Sequence, residues 1–206
     1  MPLPPSETHS ARPDFLFLGG HPALDFANTL AVDAGEPLEF LIDGGSVIEW
    51  LEQAGLACDP GAGYPASLNQ ESLAQVRALR VAWKSELEGL LRGREVSKSF
   101  VTLLNRHLAE RTILETLQPQ AGGWTLRRIA SSRSGEKLVL ALLAEQIARF
   151  LAEADPSYLR RCANTESCVL YFYDTTKNHR RQWCSAATCG NRHKVAAFRE
   201  RKARRR

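Results

Sequence analysis

The chain has no run of about 18 to 20 apolar residues, the length a helix needs to cross a bilayer, so no membrane span is expected. Residues 1–13 are rich in Pro and Ser, and no apolar core ending at a small-residue cleavage site follows them. No secretory signal is therefore expected, and the cytoplasm is the expected compartment. Internal repeats are missing, and so are low-complexity tracts apart from the basic end. The sequence also offers no nucleophile paired with a base, no Gly-rich loop to cradle a phosphate and no metal set with an open position; the Gly19-Gly20 turn is too common to count. An enzyme is not expected.

What is present is the composition of an ordinary globular chain. The 206 residues are 44% apolar, 24% charged and 8% aromatic, which argues against collagenous, coiled-coil or wholly disordered classes. This length suits one core of about 150 residues and a small appendage. The net charge of +4 hides an asymmetry. Residues 160–206 hold 13 Lys and Arg against 3 acids, a balance of +10, whereas the remainder holds 14 basic and 20 acidic residues, a balance of −6. An acidic body thus carries a basic end suited to a polyanion.

Apolar spacing outlines the body. Asp14 to Leu18 reads as a short strand, and Ala23 to Leu30 as either a helix or an extended segment. Ser46 and Glu49 have the form of a capping box, with Val47, Trp50, Leu51 and Ala54 on a helical period that stops at Gly55. Leu73, Val76, Leu79, Trp83, Leu87 and Leu90 predict a helix within 67–93, and Phe100, Val101, Leu104, Leu108 and then Ile113 to Leu117 predict a third. Gly122-Gly123 followed by Trp124, Leu126 and Ile129 predicts a strand; Leu138, Leu142, Ile147 and Leu151 predict a helix broken at Pro156. Residues 1–13 read as a loose arm.

Four of the five cysteines fall near the basic end. Cys162 and Cys168 are separated by five residues, Cys184 and Cys189 by four, and the pairs by 15. Pair, loop and pair is the grammar of a four-cysteine zinc site, and without a secretory signal it outweighs two disulfides or a redox pair. Cys58 reads as an idle loop thiol. Between the pairs, Val169 to Asp174 and Arg180 to Trp183 read as two strands of a zinc-supported hairpin, and a helix follows Cys189 with Asn191 available as its cap. Four thiolates would close the tetrahedron, so one structural Zn2+ would supply folding free energy rather than chemistry. His179 and His193 are the possible substitute ligands.

These residues also carry a resemblance. Trp183-Cys184, Cys189-Gly190-Asn191-Arg192 and Lys194, preceded by Arg161-Cys162 and by Phe172 and Asp174, closely resemble the CGNR zinc-finger family. The first cysteine pair is one residue wider than that family's pattern. Leu24-Asp25-Phe26, Asn28 and Thr29 resemble the motif that opens the ABATE domain, the usual companion of that finger. The resemblance implies a bacterial DNA-binding transcription regulator of the stress response, with a zinc-bound C-terminal module and an N-terminal sensor-like domain.

The expected fold is mainly α, in an α+β arrangement: a helical domain over 14–156 with one or two short strands, then a small treble-clef-like module of hairpin and helix over 160–203. Residues 204–206 form a basic tail. The expected metal ligands are Cys162, Cys168, Cys184 and Cys189. Arg180, Arg181, Arg192, Lys194, Arg199, Arg201 and Lys202 are the candidate contacts to duplex DNA, against a plain solvated charged face. Trp183 and Phe172 read as finger core. Asp25 and Asn28, set between Leu24, Phe26 and Leu30, either face a pocket for an unknown small effector or tie down backbone. RNA binding, protein docking and a thiol-zinc redox switch are the rival functions, and a homodimer is possible.

Overall fold

The computed structural model describes residues 14–33, 35–56, 64–132, 134–165 and 167–204. The expected arm over 1–13 and Cys58 lie outside them. Among the described residues the fold is mainly helical, with three small two-stranded antiparallel sheets.

A short helix α1 (Pro22–Ala27) opens the body, so the helical alternative holds for this segment. The preceding run from Asp14 to Leu18 forms no strand; it lies as irregular chain whose Phe15 packs into the core. A small ribbon of β1 (Leu30–Asp33) and β2 (Glu36–Glu39) follows, then α2 (Gly44–Gln53). The capping box of α2 sits one turn earlier than its sequence form suggested. Asp43 accepts from the Ser46 amide at 2.7 Å, and Ser46 Oγ accepts from the Asp43 amide at 3.0 Å. Gly44 has no room for a side chain, because a Cβ there would stand 2.0 Å from the Leu68 carbonyl oxygen.

The long helix α3 (Gln70–Leu91) starts where Asn69 accepts from the Ser72 amide at 2.8 Å, and its apolar stripe buries Leu73, Val76, Leu79, Trp83 and Leu87. The next helix, α4 (Lys98–Leu108), is capped by Ser97. It does not run on through Ile113 to Leu117. Those residues belong to β3 (Thr112–Gln120), which pairs with β4 (Gly123–Ser131) across a turn at Gly122, φ +87°. Helix α5 (Gly135–Glu153) then crosses the core with Val139, Leu143, Ile147 and Phe150.

Beyond a single 3-10 turn, Pro156–Tyr158, the expected hairpin takes a different pairing. Strand β6 (Tyr171–Tyr173) pairs with β5 (Leu159–Arg161), while residues 180–183 stay irregular. The buried carboxylate of Asp174 explains this, because it gathers the chain that follows it: Thr176 donates its amide and hydroxyl to Oδ1, and Arg181 donates its amide to Oδ2. A π-helical turn, Ala186–Gly190, leads into α6 (Asn191–Ala203). The cap here is Ser185, whose side chain accepts from the Thr188 amide. Asn191 already has helical angles, φ −69° and ψ −43°, and so is not the cap.

One contiguous core runs from Phe26, Trp50 and Trp83 through Phe150 to Phe172 and the four cysteines near the C-terminal end. Among the described residues, no helix is long and apolar enough to cross a membrane.

Candidate metal centre and nucleic-acid interface

Three short loops converge on one point. Cys162 follows β5, with its amide bonded to the Leu170 carbonyl at 2.9 Å; Cys168 precedes β6; Cys184 and Cys189 flank the π-helical turn. All four side chains are buried, and their sulfurs lie within 4.8 Å of one another. The Cys168–Cys184 and Cys184–Cys189 separations are 3.7 and 3.6 Å. A tetrahedron built on Zn–S bonds of ~2.3 Å has edges of about 3.8 Å, whereas a disulfide needs ~2.05 Å. The donor set therefore fits one structural Zn2+ held by four thiolates. Thiol donors, Cys184 first, hold Cys168 down at about 5, while burial pushes Cys162 up. Hydrogen bonding to the Cys168 sulfur and burial push Cys184 up. Four buried thiols this close cannot all ionise unless a cation sits among them.

The histidines are occupied elsewhere. His179 stacks on Tyr158 at 3.8 Å with Nδ1 2.9 Å from the Asp174 carbonyl, and His193 packs on Trp183 at 5.4 Å. From the cysteine cluster α6 projects into solvent. Arg192, Lys194, Arg199, Arg201 and Lys202 are exposed along it, together with Val195 and Phe198.

A family model described as "Putative stress-induced transcription regulator", ABATE, matches residues 20–154, about two thirds of the chain. The chain belongs to the ABATE family. Its C-terminal residues 158–202 match the CGNR zinc finger, which fits the four-cysteine cluster. No curated protein matches the chain.

In this ABATE protein the motif residues Asp25 and Asn28 serve the backbone rather than a pocket. Asn28 Nδ2 donates to the Tyr171 carbonyl and the Tyr171 amide donates to Asn28 Oδ1, both at 2.9 Å. This spends both polar atoms of Asn28 on the CGNR finger, 143 residues away. Asp25 Oδ1 accepts from the Gly19 amide at 2.7 Å; burial pushes its carboxyl up to about 6, against hydrogen bonds from Gly19 and Leu18. Gly19 must be glycine, because a Cβ would stand 2.8 Å from that of Leu24. Of the two roles open to Asp25 and Asn28, the hydrogen bonds fit the one in which they tie down backbone, not a place in an effector pocket.

Arg181 also departs from its expected role. Its guanidinium lies 4.4 Å from the centre of the Phe172 ring and donates to the carbonyls of Trp183 and Cys184, so it braces the zinc loop. Arg180 stays exposed. With Arg160, Arg161, Gln182 and Arg181 itself it lines a groove of about 570 Å³ beside the finger. In the sequence Arg160 is visible only as part of the +10 excess and Arg161 only there and in the finger motif; what singles them out is their place on β5.

Three further contacts join ABATE body and finger. Glu88 of α3 accepts from the Tyr171 hydroxyl at 2.8 Å and pairs with Arg161 at 3.2 Å. The Tyr173 amide donates to the Gly19 carbonyl at 2.8 Å.

Proposed function

We propose that the chain is a zinc-dependent DNA-binding transcription regulator in which the CGNR finger docks on duplex DNA. The observation that carries this reading is α6: a helix rooted on the cysteine cluster, exposed along its length and bearing five cations. Phosphates would be held by Arg199, Arg201 and Lys202, with Arg180 and the β5 arginines holding the same backbone from the adjacent groove. Arg192, in the first turn of α6, is the candidate for a guanine edge, and Val195 and Phe198 offer apolar contact to thymine methyls. Zinc supports this by fixing the first turn of α6, since Cys189 lies two residues before it.

The body would sense a small effector at a place other than Asp25 and Asn28. A cleft of about 580 Å³ between α3, α4 and α5 has the volume of a small-molecule site, with Leu79, Leu103 and Leu140 on its floor and Arg106 and Lys137 at its mouth.

The test is the triple variant Arg192→Ala, Arg199→Ala, Lys202→Ala. Affinity for duplex DNA should fall at low salt, and the slope of log affinity against log salt should shrink by about one for each phosphate the variant no longer neutralises. Thermal stability and zinc content should not change, because none of the three is buried. An unchanged slope would remove α6 from the interface.

A further inference from the structure

Helices α3 and α4 meet where Trp83 stacks on Phe100, with ring centres 5.9 Å apart. Away from that stack the side chains that α3 turns to the seam are small, Ala78 and Ala82, and the seam opens into the cleft of about 580 Å³. Its floor is aliphatic: Leu79 and Leu140 are buried there, and Leu103 is half-buried beside them. The charged side chains that line it are Arg106 of α4, Lys137 of α5 and Glu110 just past the end of α4, two cations against one acid. Glu110 takes Lys137 at 2.9 Å, whereas Arg106 has neither a hydrogen bond nor an ion pair among the described residues. Burial, then the neighbouring Arg106, hold His107 below its ordinary value against the pull of Glu110, so it adds no cation at neutral pH. The cleft therefore carries a surplus of one positive charge over an apolar floor, in a body whose own balance is −6.

We propose that the effector of this cleft is a small monocarboxylate with an apolar tail, an inference that rests on the reading of the body as a sensor. One surplus cation suits one negative charge. A phosphate monoester, close to a dianion at neutral pH, would bring in more charge than the cleft balances. A neutral ligand lying over Arg106 would strip water from its guanidinium and return no charge to it. The planar guanidinium fork matches the two oxygens of a carboxylate, and Glu110 on Lys137 is already an ion pair of that kind at the same mouth. Arg106 and Leu103 stand one turn apart on α4, so a carboxylate held by Arg106 lays its tail across Leu103 toward Leu79 and Leu140. Ala78 and Ala82 leave the room that the tail fills. Burial of the tail supplies affinity, and the ion pair supplies selectivity for the acid.

The test titrates the zinc-loaded full chain, without DNA, by calorimetry. The probes are straight-chain carboxylates of about four to ten carbons, in which each added methylene should tighten binding about three- to fourfold until the floor is covered. The primary amides of the same chains should bind at least about tenfold more weakly, and the matching alkyl phosphates should also bind more weakly than the acids. Arg106→Gln should weaken the acids by about tenfold and leave the amides unchanged, a split that a purely structural role would not produce. Ala78→Leu fills the cleft and should weaken acids and amides together. Helical signal and zinc content should match wild type in both variants, because neither residue is buried. No saturable binding by any acid of the series, amides or phosphates that bind as tightly as the acids, or an Arg106→Gln variant that binds the acids like wild type would each overturn the proposal. Repeating the duplex titration with the tightest acid separates the sensor reading from the ligand class. Acid binding that leaves duplex affinity unchanged would uphold the monocarboxylate and remove the sensor role.

Discussion

Asn28 closes a two-hydrogen-bond clamp on the backbone of Tyr171, with all of the atoms involved buried. Truncating it to alanine strands a buried amide and a buried carbonyl, and each such group left without a partner costs roughly 1–3 kcal/mol. Asn28→Ala should therefore lower the free energy of unfolding by about 2–4 kcal/mol in urea titrations, although the residue touches neither zinc nor DNA. A change under about 0.5 kcal/mol would mean that the clamp is not formed in solution. Asp25 makes a pH-dependent contribution of the opposite kind. Its carboxyl is raised from 3.8 to about 6, first by burial, so the folded chain binds this proton more tightly than the unfolded chain does. The stability it contributes is present in full below about pH 4 and is lost as pH rises through about 6. Asp25→Asn keeps an oxygen for the Gly19 amide and cannot ionise. Its stability relative to wild type should improve between about pH 4 and pH 7, and a constant difference over that window would contradict the burial of the charge.

At the scale of elements, the sequence was most readable where one period ran long. The stripe from Leu73 to Leu90 marked α3, which buries a single face against the core, and the spacing from Leu138 to Leu151 marked α5, although that helix is buried all round from Leu138 to Ala144. Short apolar runs misled for want of that length. Ile113 to Leu117 fits either period, and only the Gly122 turn and the pairing with β4 make it a strand. The finger's hairpin differs because Asp174 coils the chain after β6, and β5, a segment for which the sequence predicted no strand, supplies the partner instead. The four cysteines were recoverable from spacing alone, since zinc chemistry demands them. The role of Arg181 was not, because a cation in a basic segment reads the same whether it faces DNA or a carbonyl. Arg181→Ala should consequently weaken zinc retention against a chelator and lower the melting temperature, effects that Arg192→Ala should lack. Equal behaviour of the two variants in that competition would return Arg181 to the surface set.

For the whole molecule, the finger is not an appendage on a tether. Phe172, Leu159 and the four cysteines share a core with Trp83 and Phe150, and Glu88 and Asn28 hold the finger's strands against α3 and α1. Motif reading separates two domains because it follows chain order; burial joins them because β6 packs on α1. An acidic body and a basic, zinc-built end thereby form one unit that can present α6 at a fixed angle. The most direct test is a titration of the zinc-loaded chain against a labelled random duplex pool over a range of salt, with and without excess structured RNA and after chelation. The account predicts retention that survives RNA, a slope near −0.9 for each phosphate neutralised, and release of the duplex when zinc is stripped. Binding with no salt slope, binding abolished by RNA, or binding indifferent to zinc would contradict it.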